Sequence, residues 1–433
     1  MIAVIKNSLW LMLEKVLFAL AGIFISVYVA RYLQPEKFGV ITYLLAIVAI
    51  TVPLIQLGAD NVIFNRIARR ESAGIRLMLM SAKLRGFLFI CTSIAILLWG
   101  GIYLPAEQKW MLVLVLASSW FSIQDVYRIY YDATLCSKKN TFINNAGMML
   151  SMLLRVILVK ASMGMAWFII PYIVSSAVPY FIRRRMFKRS HPPTMTRKRW
   201  QKRQGRYNSY MFKVGLPLAI STLSIVIFTR IDQIMLGSMV GTHAVGLYGA
   251  AISLSQGWAF VPMALLTSLM PSIARQRTWD EQRNLIRLMY LVILACSLPV
   301  VLLLGYFAEP LVLMLFGSAY AESATIIPIC AVTMLFALLG TLSYRVIVVF
   351  SGYRFIAIKM PLVALINIAL NYLLIPKFGL KGAAISTLLA EFCSFFVLNM
   401  FFQKGKITAL QLTCFQCIPL MTRRVISHVK KYS

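Results

Sequence analysis

The chain has 433 residues, 60% of them hydrophobic and only 13% charged, with a mean hydropathy of +0.79. A soluble domain is roughly 45–50% apolar and about 25% charged, so a single water-soluble core is excluded and a polytopic membrane protein is expected. A formal net charge of +31 would suggest nucleic acid in a soluble chain; here basic loops obeying the positive-inside rule account for it, and no groove-reading module appears.

Twelve segments are long and apolar enough to span a bilayer: 8–30, 39–65, 82–104, 110–131, 142–162, 166–183, 213–237, 246–270, 287–307, 324–350, 359–375 and 380–403. The first is expected to stay as a helix. Glu14 and Lys15 precede the "ALAG" at 19–22, and the apolar run continues to Ala30, beyond the length of a signal h-region. With the N-terminus inside, 33 Lys and Arg fall in inner segments and six in outer loops, so both termini are expected in the cytoplasm. The fold class expected is therefore all-α, with twelve transmembrane helices.

The segment "RRRMFKRSHPPTMTRKRWQKRQGRYNSY" divides the chain into six spans and six. The expected organisation is a six-helix bundle at 1–183, a basic linker at 184–212, a second bundle at 213–403 and a basic tail at 404–433. The linker reads as a topology anchor, with anionic membrane lipid as the alternative role. The halves look alike. Gly39 in "LQPEKFGVITYLLAI" aligns with Gly246 in "VGTHAVGLYGAAISL", and Ile67-Ala68-Arg69 aligns with Ile273-Ala274-Arg275. Six spans per half gives a parallel repeat, a known transporter arrangement with a central cavity between two bundles.

Charges inside spans are costly, about 2.5–3.5 kcal/mol each on insertion scales, so each needs a partner or a function. In the fourth span, Gln124, Asp125, Arg128 and Asp132 share one helical face and can pair along it. The alternative places Arg128 in the cytoplasmic half of a cavity wall. Arg155 has no acidic neighbour within a turn. Arg345 lies near the inner face, where it can snorkel. Glu391 is alone in the twelfth span. In "IVIFTRIDQIML", Arg230 and Asp232 lie about 200° apart around a helix, poorly placed to pair. Asp232, Thr229, Gln233 and Arg230 instead form one polar arc opposite Ile227, Ile231, Ile234 and Met235, as expected for the wet side of a helix lining an outward-facing chamber. Span carboxylates carry H⁺ or Na⁺ in transporters, which makes Asp125, Asp232 and Glu391 candidate coupling residues.

No catalytic motif stands out, and the longest outer segment, 308–323, holds no His. A C-x-x-C at 414–417 lacks the second pair a zinc site needs, so neither metal nor cofactor is expected.

Three stretches carry a family resemblance: "ARYLQPEKFGVITY", "TRIDQIMLGSMVGTHAVGLYGAA" and "NIALNYLLIPKFGLKGAAISTLLAE". They resemble the polysaccharide transport family, which includes O-antigen and capsule-unit flippases and shares a superfamily with multidrug and toxin extrusion transporters and lipid II flippases. The resemblance implies an inner-membrane transporter, not an enzyme, that translocates undecaprenyl-diphosphate-linked oligosaccharide in lipopolysaccharide or other polysaccharide biosynthesis. Polysaccharide polymerase and chain-length proteins are the implied partners. It also implies cationic residues for the diphosphate and polar ones for the sugars. Position and helix phase then nominate Arg128, Arg155, Arg230, Arg345, Gln124 and Gln233 for substrate. A cation-coupled multidrug antiporter is the alternative, and a membrane polymerase or acyltransferase a more distant one.

Overall fold

The structure, a computed structural model, describes residues 2–191, 197–276 and 278–417, with side chains from residue 21 onward except at 197–204, 206, 271, 274, 275 and 417. The Pro192-Pro193 break and the end of the basic tail, 418–433, lie outside the described residues. So do the side chains of Glu14 and Lys15.

The described chain is helical. Its helices are α1 (Ile2–Gln56), α2 (Ala59–Arg69), α3 (Glu71–Tyr103), α4 (Ala106–Gln124), α5 (Tyr127–Ala133), α6 (Ser137–Lys160), α7 (Ile170–Ser190), α8 (Arg197–Met239), α9 (Thr242–Gln256), α10 (Phe260–Arg275), α11 (Trp279–Tyr306), α12 (Ala308–Leu315), α13 (Ile327–Val349), α14 (Tyr353–Phe392) and α15 (Lys406–Leu412). Among the described residues nine helical stretches are long and apolar enough to cross a membrane, and a bent pair, α9 with α10, makes ten. Two of the nine contain a sharp internal kink, at Gln34 and at Gly379, and each splits there into two crossings. The twelve spans read from hydropathy are thereby recovered. Side chains such as Ile102, Leu98, Phe24 and Tyr306 stay exposed on these helices, as lipid-facing residues do.

Each kink has a local cause. Pro35 disfavours helical backbone at Gln34, which adopts φ 65°. The Gln34 side chain then donates to the Arg31 carbonyl at 3.0 Å, satisfying one of the acceptors freed by the break. Gly379 takes φ 54°, open to a residue without Cβ. The helices also run past the hydropathic spans. α7 continues to Ser190 and α8 starts at Arg197, so most of the basic segment expected as a linker is helix.

The chain forms two compact units, one of residues 28–246 and one of 1–27 with 247–433. In the first, α7 packs on α4 and α6, α3 on α2 and α4, and α8 on α2 and α3. In the second, α13 packs on α10, α11 and α14, and α15 packs on α11. The aligned glycines of the repeat meet each other. A Cβ on Gly39 would overlap the Thr242 carbonyl, and one on Gly246 would overlap the Pro35 carbonyl. The two Ile-Ala-Arg motifs sit at corresponding places, at the ends of α2 and α10, each the second piece of a broken helix.

The reciprocal glycine crossing yields a prediction. Gly246→Val forces backbone apart and is expected to lower the melting temperature in detergent or abolish the monodisperse peak, with overpacking costing about 1–3 kcal/mol or more. Gly101→Val, where nothing lies within 4 Å, is expected to behave as wild type.

Candidate functional site

Two expected arginines lie in the 28–246 unit. Arg155 projects from the C-terminal part of α6 and lies over the Tyr172 ring, its guanidinium carbon 4.6 Å from the centroid. Arg230 projects from α8 and is exposed. It also makes a long hydrogen bond of 3.5 Å to Gln233 Oε1. Among the described residues neither guanidinium has a carboxylate within ion-pair distance. The polar arc expected on this helix is split. Arg230 and Thr229 are exposed, whereas Asp232 and Gln233 are buried at 4% and 5% exposure. The physical reason is packing: α8 lies against other helices of its unit along this face, with Gly237 pressed on the Tyr43 ring of α1.

The fourth span corrects a second expectation. It is not one helix. α4 ends at Gln124, Asp125 has φ −79° and ψ 58°, and α5 restarts at Tyr127. The helical phase that would pair Asp125, Arg128 and Asp132 is lost, and each finds a partner elsewhere. Asp125 pairs with Arg183 of α7. Asp132 accepts from Asn140 Nδ2 at 2.8 Å. Arg128 pairs with Asp60 at 3.4 Å, both side chains about half exposed. Gln124 is buried beside Gly86.

Arg183 holds this region together. It is 1% exposed, and its Nε donates to Asn140 Oδ1 at 2.9 Å while its two Nη atoms reach Asp125 and Asn144. Asn140 in turn donates to the Arg128 carbonyl at 2.8 Å. Arg85, also 1% exposed, donates to the Ile123 carbonyl at 2.6 Å, one of the acceptors freed where α4 stops.

The remaining expected residues belong to the other unit. Arg345 donates to Thr267 Oγ1 at 3.1 Å. Glu391 is not alone: its carboxylate lies beside Gly340, and its charge acts on Lys359. Lys359 is 3% exposed and donates to Asn399 Oδ1 at 2.8 Å.

Arg85, Arg183 and Lys359 are counted as inner-loop charges by the positive-inside tally, yet all three are buried. The signal for Arg183 lies in the sequence, since "VPYFI" leads straight into it and α7 continues beyond. Tyr172 escapes sequence reasoning altogether, because an aromatic at the start of a span usually reads as an interfacial anchor.

Arg183→Ala leaves Asp125 buried without a counter-charge. Breaking such a pair costs about 3–5 kcal/mol. The variant is expected to lose thermal stability in detergent, and Arg183→Lys to recover little of it, because an ammonium cannot span three separated acceptors. Arg185→Ala, on an exposed side chain, is expected to melt as wild type.

Comparison with known proteins agrees with this architecture. The protein-family model described as polysaccharide biosynthesis protein matches residues 4–277. A capsular polysaccharide biosynthesis protein, CapF of Staphylococcus aureus, is 27% identical over 200 residues, 45% of this chain and 50% of CapF. An uncharacterised membrane protein of Methanocaldococcus jannaschii is 26% identical over 198 residues, 44% of this chain and 45% of that protein. The matched stretches thus span about half the length of these relatives or less. Among solved structures, an inward-facing multidrug resistance MATE family transporter of the MOP superfamily superposes with a TM-score of 0.68 at 15% identity, covering 92% of this chain and 96% of that one. The lipid II flippase MurJ, in an inward closed conformation, superposes with a TM-score of 0.67 at 14% identity, covering 92% and 90%. At these identities the likeness speaks to the fold. With its first three-fifths matched and its helices in the MATE and MurJ arrangement, the chain belongs to the polysaccharide biosynthesis protein family of membrane proteins.

Proposed function

We propose that the chain is a flippase that moves an undecaprenyl-diphosphate-linked oligosaccharide from the cytoplasmic to the periplasmic leaflet of a bacterial inner membrane. Alternating access of two bundles, 1–183 and 213–403 about the linker 184–212, is the proposed motion, with both termini cytoplasmic. The observation that carries the reading is the pair Arg155 and Arg230, two guanidiniums of one unit without carboxylate partners among the described residues, the first of them set over the Tyr172 ring. A cation on an apolar span without an internal counter-charge favours an anionic ligand. Arginine matches phosphate oxygens with two parallel N–H donors. Gln233, beside Arg230, is a proposed sugar or phosphate contact. Arg128, beside the half-exposed Asp60, is a proposed first contact on the cytoplasmic side. Arg345 and Gln124 complete the proposed substrate set.

Proposed coupling to H⁺ or Na⁺ rests on Asp232, Glu391 and Asp125. Asp125 would take part through its pairing with Arg183, and Glu391 through its field on Lys359. Polymerase and chain-length proteins are proposed partners. A cation-coupled multidrug antiporter is the second reading, favoured by the likeness to the MATE transporter. The arginine pair disfavours it, since cationic drugs would meet like charge.

Purified protein in proteoliposomes tests the proposal. Wild type is expected to translocate an undecaprenyl-diphosphate-linked oligosaccharide, and Arg155→Ala or Arg230→Ala to slow it about tenfold or more, the worth of a charge-assisted hydrogen bond. Absence of transport by wild type, or drug transport in its place, would overturn the reading. Collapsing both the proton and sodium gradients without changing the flux would dismiss the coupling residues alone.

A further inference from the structure

Two arginines from separate helices lose much rotamer freedom when they converge on one anion, so an effective site holds them ready beforehand. Tyr172 is placed to do this. It follows Pro171 at the start of α7, after a tight 3₁₀ turn at 165–169. Its carbonyl oxygen accepts from Ser118 Oγ of α4 at 3.2 Å, and from Ser175 and Ser176 at 2.9 and 3.1 Å. The ring is therefore carried on backbone fixed to a neighbouring helix.

The chemistry of the partner matters as much as its rigidity. A carboxylate neutralises an arginine by occupying its N–H donors. Arg183 shows donors spent in this way, with one Nη on the Asp125 carboxylate and Nε and the other Nη on the Asn140 and Asn144 amide oxygens. An aromatic face attracts the guanidinium through its quadrupole instead and touches the flat side of the cation. The in-plane N–H donors stay available. Tyr172 thus gives Arg155 electrostatic support without consuming the groups that bind phosphate.

We infer that Tyr172 is a positioning residue of the anion site: its ring supports the Arg155 guanidinium, whose carbon lies 4.6 Å from the ring centroid, and leaves N–H donors of Arg155 available to a diphosphate. The inference rests on the function proposed above. Lysine in place of Arg155 would not substitute, since an ammonium over the ring has no planar set of free donors.

The experiment is titration calorimetry of inorganic pyrophosphate into the full-length detergent-purified protein at fixed low ionic strength, with melting temperatures measured alongside. Tyr172→Phe is expected to bind within about threefold of wild type, and Tyr172→Leu about tenfold more weakly at an unchanged melting temperature. In the Arg155→Ala background Tyr172→Leu is expected to add nothing, because its effect passes through Arg155. Wild-type binding by Tyr172→Leu, or its full loss appearing again in the Arg155→Ala background, overturns the inference. So does a wild type that binds no pyrophosphate, while the proteoliposome assay judges the proposed substrate separately. Should Tyr172→Leu fail to fold, Tyr172→Trp keeps the face and Arg155→Lys removes the stacked guanidinium. Retained binding by the first and loss by the second is expected, and equal binding by both overturns the inference.

Discussion

A guanidinium inside a helix bundle surrounded by lipid has to be answered by acceptors, because no bulk water is there to do it. Arg183 meets this demand in full, and the surrounding architecture follows from it. Reaching Asp125, Asn140 and Asn144 at once ties α7 to α6 and to the end of α4. Asn140 then fixes Asp132 and the Arg128 carbonyl, which sets the position of α5. The break in the fourth span is stable because its freed groups are taken up: Arg85 holds the Ile123 carbonyl and Arg183 holds the Asp125 carboxylate. A side chain matched in this way is structural.

Arg155 and Arg230 stand in contrast. They are in the same unit and in spans just as apolar, yet their recorded neighbours are a tyrosine ring and a glutamine amide. The difference between the two sets of arginines separates framework from function better than position in the sequence does. Charge count alone cannot make the distinction, since the spans hold acids and bases in similar number. Between Arg183 and the pair Arg155 and Arg230, what decides is which donors are already spent.

Much of the fold is legible in the chain. Hydropathy gives the twelve crossings, Pro35 and Gly379 mark two of the tight returns, and the alignment of Gly39 with Gly246 anticipates residues that meet in space. The site is less legible, for physical reasons. Helical phase fails at Asp125, where the helix stops, so the ion pairs drawn on a wheel from Asp125 to Arg128 and from Arg128 to Asp132 are replaced by Asp125 with Arg183 and Arg128 with Asp60. Loop counting fails at Arg85, Arg183 and Lys359, because helices extend past the apolar stretches and carry basic residues into the packed interior. Arg155 and Arg230 are visible as isolated charges. The setting of Arg155 over Tyr172 is not, because it depends on how α6 packs on α7.

The central claim is that Arg155 and Arg230 together receive a diphosphate. The most direct measurement is a cryo-electron microscopy structure of the full chain in lipid nanodiscs with an undecaprenyl-diphosphate-linked oligosaccharide. Diphosphate density is expected within hydrogen-bond reach of both guanidiniums, and is expected to be lost in the Arg155→Ala, Arg230→Ala double variant. Diphosphate density seated away from both arginines, and unchanged in that variant, would contradict it.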